Sequence, residues 1–458
     1  MASALGWHGS PQEPAVRNAF DSDAGKRLGE RLLGLLTGAE DLDAVRPYPG
    51  RGPVAQPQVE DLHKDLAAVA AGRAEGGAPW LSAERWPGGR AFALLLSHDI
   101  DQIHDREMWR ILADVNHVRR MVTQGEPGHV GQAMGRIARA VLAPKPATKD
   151  YETILALEAQ YGFRSTFFVL HDPYWARQGA RFGIEGRAIR AIAERVIEAG
   201  CEFTVHGGYY RFNNPSAYLE SRETLKRLFG VEAIGIRNHL LRYSYPGTWR
   251  AQRDAGFDYD ATYGYNCQPG PRSGLALPFF AYDREQEEML DLLVLPLTVM
   301  DTTVFRYLRL REEEALELAR SQMERYAACG GLVTLLWHGN YFNEPEYADW
   351  QWVYERLLEQ LAGMQPWCAT GAEINRWWRA REAVTWEPAL RTADGWRFSG
   401  QARRAISGLT LRVHGDAGGA RVMVGPAGGR EARSTSGGYL IEFPDLSAGS
   451  RFEVRVWT

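Results

Sequence analysis

The chain has only four cysteines, Cys201, Cys267, Cys329 and Cys368, and no two share a CxxC spacing. That scarcity excludes a disulfide framework and a thiolate zinc site. Charge of one sign is not in excess, since 53 Lys and Arg face 57 Asp and Glu for a net charge of -4. Nothing in that balance favours nucleic acid or an anionic membrane as a partner. No uninterrupted apolar run of about 18 residues occurs, so no integral membrane segment is expected. The opening stretch MASALGWHGSPQEPAVRNAF has neither a basic n-region nor an apolar h-region. It does not read as a secretory signal, and a reduced, cytoplasmic setting is the expectation.

What is present is globular: 458 residues, 45% hydrophobic and 24% charged. That length suggests two or three domains and a large core that needs no staples. The 15 Trp and 19 Tyr often sit among polar residues, as in WHGNYFNEPEYADWQW. Aromatic faces bordered by hydrogen-bonding groups suit sugar rings, although any single large ring more often packs a core.

Three regions follow from the patterning. Residues 1–89 are irregular, with the Pro/Gly loop RPYPGRGPVAQPQ and one short helix candidate, and form an arm expected to pack on the main domain. From 90 to 383, apolar runs alternate with amphipathic helices. The runs are AFALLLS, RSTFFVL, CEFTVH, EAIGIR, FDYDAT, LLVLPLTV and GLVTLLWH. This alternation predicts parallel strands with helical crossovers, in an incomplete barrel or an open doubly wound sheet. A helical insertion, 105–150, separates the first two strands. From 384 to 458, period-two alternation with Gly-rich turns predicts a small antiparallel β-sandwich.

In parallel α/β folds ligands bind where the strands end and the loops converge. The run LLLSHDIDQIH ends on His98, Asp99 and Asp101; the third run ends on His206, the fourth on Arg237 and His239, and the last on Trp337 and His338. The second run, ending at His171, and the sixth, running on to Asp301, are less pointed. A carboxylate with neutral imidazoles suits zinc or a similar divalent ion. A second, free carboxylate can act as base on a bound water, and an imidazole opposite can protonate a leaving group. Asp99 and Asp101 lie two apart, so on a strand they point the same way. Arg237 is placed to hold a carboxylate ionised. His104, His117 and His171 sit in no matched motif and read as structural.

These residues, in this order, resemble the polysaccharide deacetylases, the NodB-homology family-four carbohydrate esterases. The likeness runs from about Trp86 to Arg381. LLLSHDID looks like the first motif, in a variant with one apolar residue between the two acids. GFRSTFFVL, VHGGYY, GIRNHLLRYS, AGFDYDATYGYN and TLLWHGNYF are similar to the segments that follow. The resemblance implies an α/β fold, a distorted seven-stranded (β/α) barrel, with a divalent metal, zinc in the first instance. It implies removal of an N-acetyl or O-acetyl group from a sugar or glycan. Carried across, Asp99 is the general base, His338 the general acid and Arg237 the group that orients Asp99. Asp101 and His206 bind the metal. Backbone N–H groups near Tyr209 or Tyr210 are placed to help hold an oxyanion, and Trp337, Asn340 and Tyr341 join these two tyrosines as candidate substrate contacts.

The family motif carries a second histidine four residues after the first, where this chain has Tyr210. The third ligand is therefore open between His239, His104 or His98, extra waters, or no metal at all. Two other functions remain in view. One is a hydrolase of a non-sugar C–N bond on the same fold, since fold does not fix chemistry. The other is a glycan-binding barrel with weak or no catalysis.

Overall fold

The computed structural model describes residues 79–103, 146–172, 178–414, 419–424, 429–435 and 438–457, together with Val115, Val118 and Arg119. The arm before residue 79 and most of the expected 105–150 insertion, with His104 and His117, lie outside the described residues. The fold is α/β, built on a largely parallel sheet.

The strands of the first half are β1 (Trp80–Ala83), β2 (Ala93–Ile100), β3 (Ser165–His171), β4 (Glu202–Gly207), β5 (Gly235–Asn238) and β6 (Tyr259–Asp260). There follow β7 (Phe279–Asp283), β8 (Glu288–Val294), β9 (Val299–Met300), β10 (Leu332–Leu336) and β11 (Trp367–Cys368). The large sheet runs β7-β8-β6-β5-β4-β3-β2-β10-β9, with β11 pairing β2. All its pairings are parallel except that of β7 with β8. The run LLVLPLTV, expected as one strand, is two. Its first part pairs β6 as β8 and its end pairs β10 as β9, with Pro296 between them. Proline cannot donate to a ladder, so a break there is expected. One short segment thus links the two flanks of the sheet.

The crossovers are helical: α1 (Lys149–Ala159), α2 (Arg187–Glu198), α3 (Pro215–Phe229), α4 (Gly247–Asp254), α5 (Glu312–Ala328) and α6 (Ala348–Gly363), and α7 (Gly371–Glu382) leads out of the sheet after β11. Their ends carry the expected chemistry. Asn214 caps α3 by accepting from the Ala217 N–H, Pro215 follows it, and Gly230 closes the helix in the left-handed region at φ 69°. Thr370 and Glu373 form a reciprocal capping box on α7.

Strand alternation divides the core in two and decides which side chains reach the site. On β2, Leu94, Leu96 and Ile100 face the layer of helices with Phe167, Val205, Ile236, Val333 and Leu335. Ala93 and Leu95 face the other way, with Phe168, Tyr259 and Leu332. Ser97, Asp99 and Asp101 continue this second row beyond the apolar residues, as period two requires.

The C-terminal strands form two sheets: β12 (Val384–Trp386), β13 (Leu390–Thr392), β14 (Gly395–Ala402), β15 (Thr410–His414), β16 (Gly419–Val424), β17 (Gly429–Glu431), β18 (Arg433–Thr435), β19 (Gly438–Glu442) and β20 (Arg451–Trp457). One sheet runs β12-β14-β20-β16-β17, with β13 on β14; the other runs β1-β15-β19-β18. The sandwich therefore begins before the large sheet: β1, within the expected arm, pairs antiparallel with β15, Trp80 opposite His414. Trp377 and Trp378 of α7 share a core with Phe398, Leu411 and Val454, which joins the sandwich to the large sheet. No described helix is long and apolar enough to cross a membrane.

Candidate metal and catalytic site

The ends of β2, β4, β5 and β10 bring six of the expected residues together. Asp101 Oδ1 lies 3.3 Å from His206 Nε2 and 3.3 Å from His239 Nδ1, and those two nitrogens are 3.2 Å apart. Tetrahedral zinc with bonds of about 2.0–2.1 Å sets its ligand atoms about 3.3–3.4 Å from one another. The three observed edges match that triangle.

The donor chemistry fits as well. His206 Nδ1–H donates to the Arg237 carbonyl at 2.8 Å, which leaves the Nε2 lone pair aimed at the cluster. Asp101 Oδ1 is buried without a hydrogen-bond partner, a costly arrangement that a cation would relieve. Burial alone would raise the Asp101 carboxyl, but the adjacent His239 and His206 hold it well below the usual carboxylate range. Of the residues the sequence left open for the third position, His239 is the one that brings a donor atom to Asp101 and His206. Tyr210, at the family's second-histidine position, is 56% exposed instead. His98, the other described alternative, faces the helices, because it is the even residue between Ser97 and Asp99.

Two further groups flank the triangle. Asp99 Oδ2 lies 3.5 Å from His206 Nε2, and Asp99 Oδ1 accepts from Arg237 Nη1 at 2.9 Å. Arg237 also donates to Ser97 Oγ at 3.0 Å and to the Ala261 carbonyl at 3.1 Å, and its guanidinium lies 4.3 Å over the Phe168 ring. The guanidinium is fully buried and fixed on all sides, so it holds one carboxylate oxygen and leaves the other free. Opposite, His338 Nε2 is 3.6 Å from Asp101 Oδ2. Its Nδ1–H donates to Asp301 Oδ1 at 2.8 Å, and its backbone N–H donates to Asp301 Oδ2 at 2.6 Å. Burial pushes the His338 imidazolium down, but the Asp301 charge and hydrogen bond, with Asp101 and Asp99, outweigh it and raise it to about 9.

The expected substrate contacts divide. Tyr341 follows His338 in a short 3-10 turn, Gly339–Tyr341, with ring centroids 5.9 Å apart, and buried Asn340 lies in the same turn. Tyr341 packs against Tyr347 and Trp350 at 4.6 and 4.2 Å. Tyr209 is half-buried beneath the Arg242 guanidinium, 4.3 Å from its ring. Trp337 is different: alternation along β10 turns it into the helix layer, where it is fully buried against Phe305 and Tyr354. A buried core ring offers no face to a sugar. The Tyr210 N–H is also committed, to Asp172 Oδ2 at 3.3 Å, so it is not free for an oxyanion.

Asp260 is buried and structural, accepting from Trp249 Nε1, Gln252 Nε2 and the Thr262 N–H. His171 hydrogen-bonds Ser221 Oγ at 3.0 Å; burial, with Arg211 nearby, lowers it to about 4. Asp301 carries a role the sequence reading passed over. Its signal was position: it ends the apolar run that lies beside the strand of His338.

No family model matches the chain, and no curated protein does. Solved structures with a similar fold include a protein assigned as a polysaccharide deacetylase from Mycobacterium smegmatis, 18% identical over 65% of this chain and 93% of that one, with a TM-score of 0.44. Another is a peptidoglycan deacetylase from Bacillus subtilis, 13% identical over 64% of this chain and 94% of the other, TM-score 0.33. A third is a CE4 family pseudoenzyme from Bacillus anthracis, 8% identical over 63% and 66%, TM-score 0.33.

Proposed function

We propose that the chain is a metal-dependent hydrolase that removes an acetyl group, N-acetyl in the first instance, from a sugar or glycan. The observation that carries this reading is the Asp101, His206 and His239 triangle, flanked by an arginine-held carboxylate on one side and an aspartate-held imidazole on the other. A divalent cation on those three ligands, zinc by their chemistry, would polarise the acetyl carbonyl and acidify water beside it. Asp99, clamped through Oδ1 by Arg237, presents Oδ2 to take a proton from the attacking water. His338, protonated at neutral pH, presents Nε2–H to the departing nitrogen. Water adds to the acetyl carbonyl carbon as Asp99 takes its proton, the C–N bond then breaks as the nitrogen takes the proton of His338, and the products are acetate and an amino sugar. A carboxylate held by an arginine facing an imidazole held by an aspartate is the arrangement acid–base hydrolysis needs.

The test is acetate release from a panel of acetylated sugars and simple acetamides, with metal content measured in parallel. Asp99→Asn is expected to keep metal and lose turnover, whereas His206→Ala loses both. Undiminished acetate release by Asp99→Asn, or none by the metal-loaded wild type, would refute the reading.

A further inference from the structure

Behind the site, on the helix side of β2, lies a fully buried polar group that the proposed chemistry does not use. His98 Nδ1 is 2.7 Å from the Trp337 carbonyl and His98 Nε2 is 2.8 Å from Glu158 Oε1. Glu158, on α1, also accepts from Tyr354 OH at 2.6 Å and, through Oε2, from Ser165 Oγ at 2.6 Å. His98 and Glu158 are both 0% exposed. Burying an imidazole and a carboxylate is expensive, and apolar side chains of similar volume would stabilise this layer as well.

The placement of the other end suggests what they are for. The peptide unit joining Trp337 to His338 has its C=O on His98 and its N–H on Asp301 Oδ2, at 2.7 and 2.6 Å. The preceding N–H, that of Trp337, donates to the Ser97 carbonyl at 3.0 Å. One peptide plane is thus gripped from both edges by side chains of two different elements, and that plane sets the direction of the His338 Cα–Cβ bond.

We propose that His98, backed by Glu158, is a positioning residue for His338: it holds the Trp337 carbonyl so that the imidazole meets Asp301 and the pocket together. The inference rests on the function proposed above only in giving His338 the role of acid. Displacing a reacting group by about 1 Å can cost about 100-fold in rate, so such a grip is worth its burial.

Asn and Gln at position 98 separate this role from simple packing. The Asn amide nitrogen reproduces Nδ1 and its bond to Trp337; the Gln amide reproduces Nε2 and its bond to Glu158. Each variant loses one of the two bonds. Two readouts are followed: kcat for acetate release, and the downfield N–H resonance of the His338 imidazole bound to Asp301. His98→Asn is expected to keep the resonance and a kcat within about threefold of wild type, and His98→Gln to lose the resonance and about 10- to 100-fold in kcat. KM and metal content stay unchanged in both. Glu158→Gln, whose amide can donate to a neutral His98, is expected to keep resonance and kcat and serves if the position 98 variants fold poorly. Equal effects of Asn and Gln, or loss of the resonance in Glu158→Gln, would overturn the proposal. If wild type releases no acetate, the proposed function fails, while the resonance comparison still decides on the grip.

Discussion

Asp301 binds His338 twice, at the side-chain Nδ1 and at the backbone N–H, 2.8 and 2.6 Å away. One carboxylate therefore fixes the place of the imidazole, and its charge keeps the ring protonated. Because the proposed acid must carry its proton, the rate is expected to fall as pH rises through the His338 pKa, near 9. Asp301→Asn removes the charge and moves that fall to lower pH. A return to the ordinary value of about 6.5 leaves about 3% of the imidazole protonated at pH 8 instead of about 90%, a loss of about 30-fold in kcat. The pH profile of kcat for acetate release checks this; an alkaline limb that stays in place would contradict it.

The proposed metal site takes its third ligand from His239 and not from Tyr210. His239→Ala is expected to weaken zinc affinity by at least about 10-fold, the scale on which even indirect partners of a metal matter. Tyr210→Phe, altering an exposed ring, leaves affinity unchanged. Competition with a chromophoric chelator measures both, and equal affinities for wild type and His239→Ala would exclude His239 as a ligand.

Arg237 and Asp99 form an ion pair with the guanidinium fully buried and the Asp99 side chain 4% exposed. Removing the cation strands a buried carboxylate. Arg237→Met is expected to destabilise the fold by about 3–5 kcal/mol, whereas the double variant with Asp99→Asn recovers part of that loss. Urea unfolding of the two variants and wild type provides the numbers. A single variant no less stable than the double would show that the pair is not coupled.

Much of this was legible because period and residue type agree. The apolar runs appear as strands β2, β3, β4, β5 and β10, and Asp99, Asp101, His206, Arg237, His239 and His338 all fall at strand ends on one side of the sheet. His98 and Trp337 were legible in principle: each is one residue out of phase with the pocket row, so alternation turns both toward the helices. Asp301 stood at the end of its run but read as less pointed, because only the pairing of the two-residue β9 with β10, after the break at Pro296, sets it beside His338. The pairing of β1 with β15 was invisible for a different reason. Trp80 and His414 are more than 300 residues apart in the chain, and a four-residue strand has no period to reveal its partner. Asp260 shows the converse: a carboxylate in a matching segment that turns out to serve three local donors.

That same joint yields a stability prediction. The Trp80 and His414 rings stack at 3.8 Å and 9°, and Ser82 Oγ lies 2.8 Å from His414 Nε2. Burial, with the Arg412 charge nearby, pushes His414 down to about 4. The folded form thus resists a proton that the unfolded chain accepts near pH 6.5. The contribution is fully present above that value, shrinks as pH falls, and is gone near pH 4. His171 titrates in the same window, so wild type must be compared with His414→Phe, which keeps an aromatic ring against Trp80 and cannot take up a proton. Urea midpoints at pH 7.5 and 4.5 are expected to favour the variant more at the lower pH. A difference between the two proteins that is the same at both pH values would mean that His414 is not kept neutral by its place between the first strand and the sandwich.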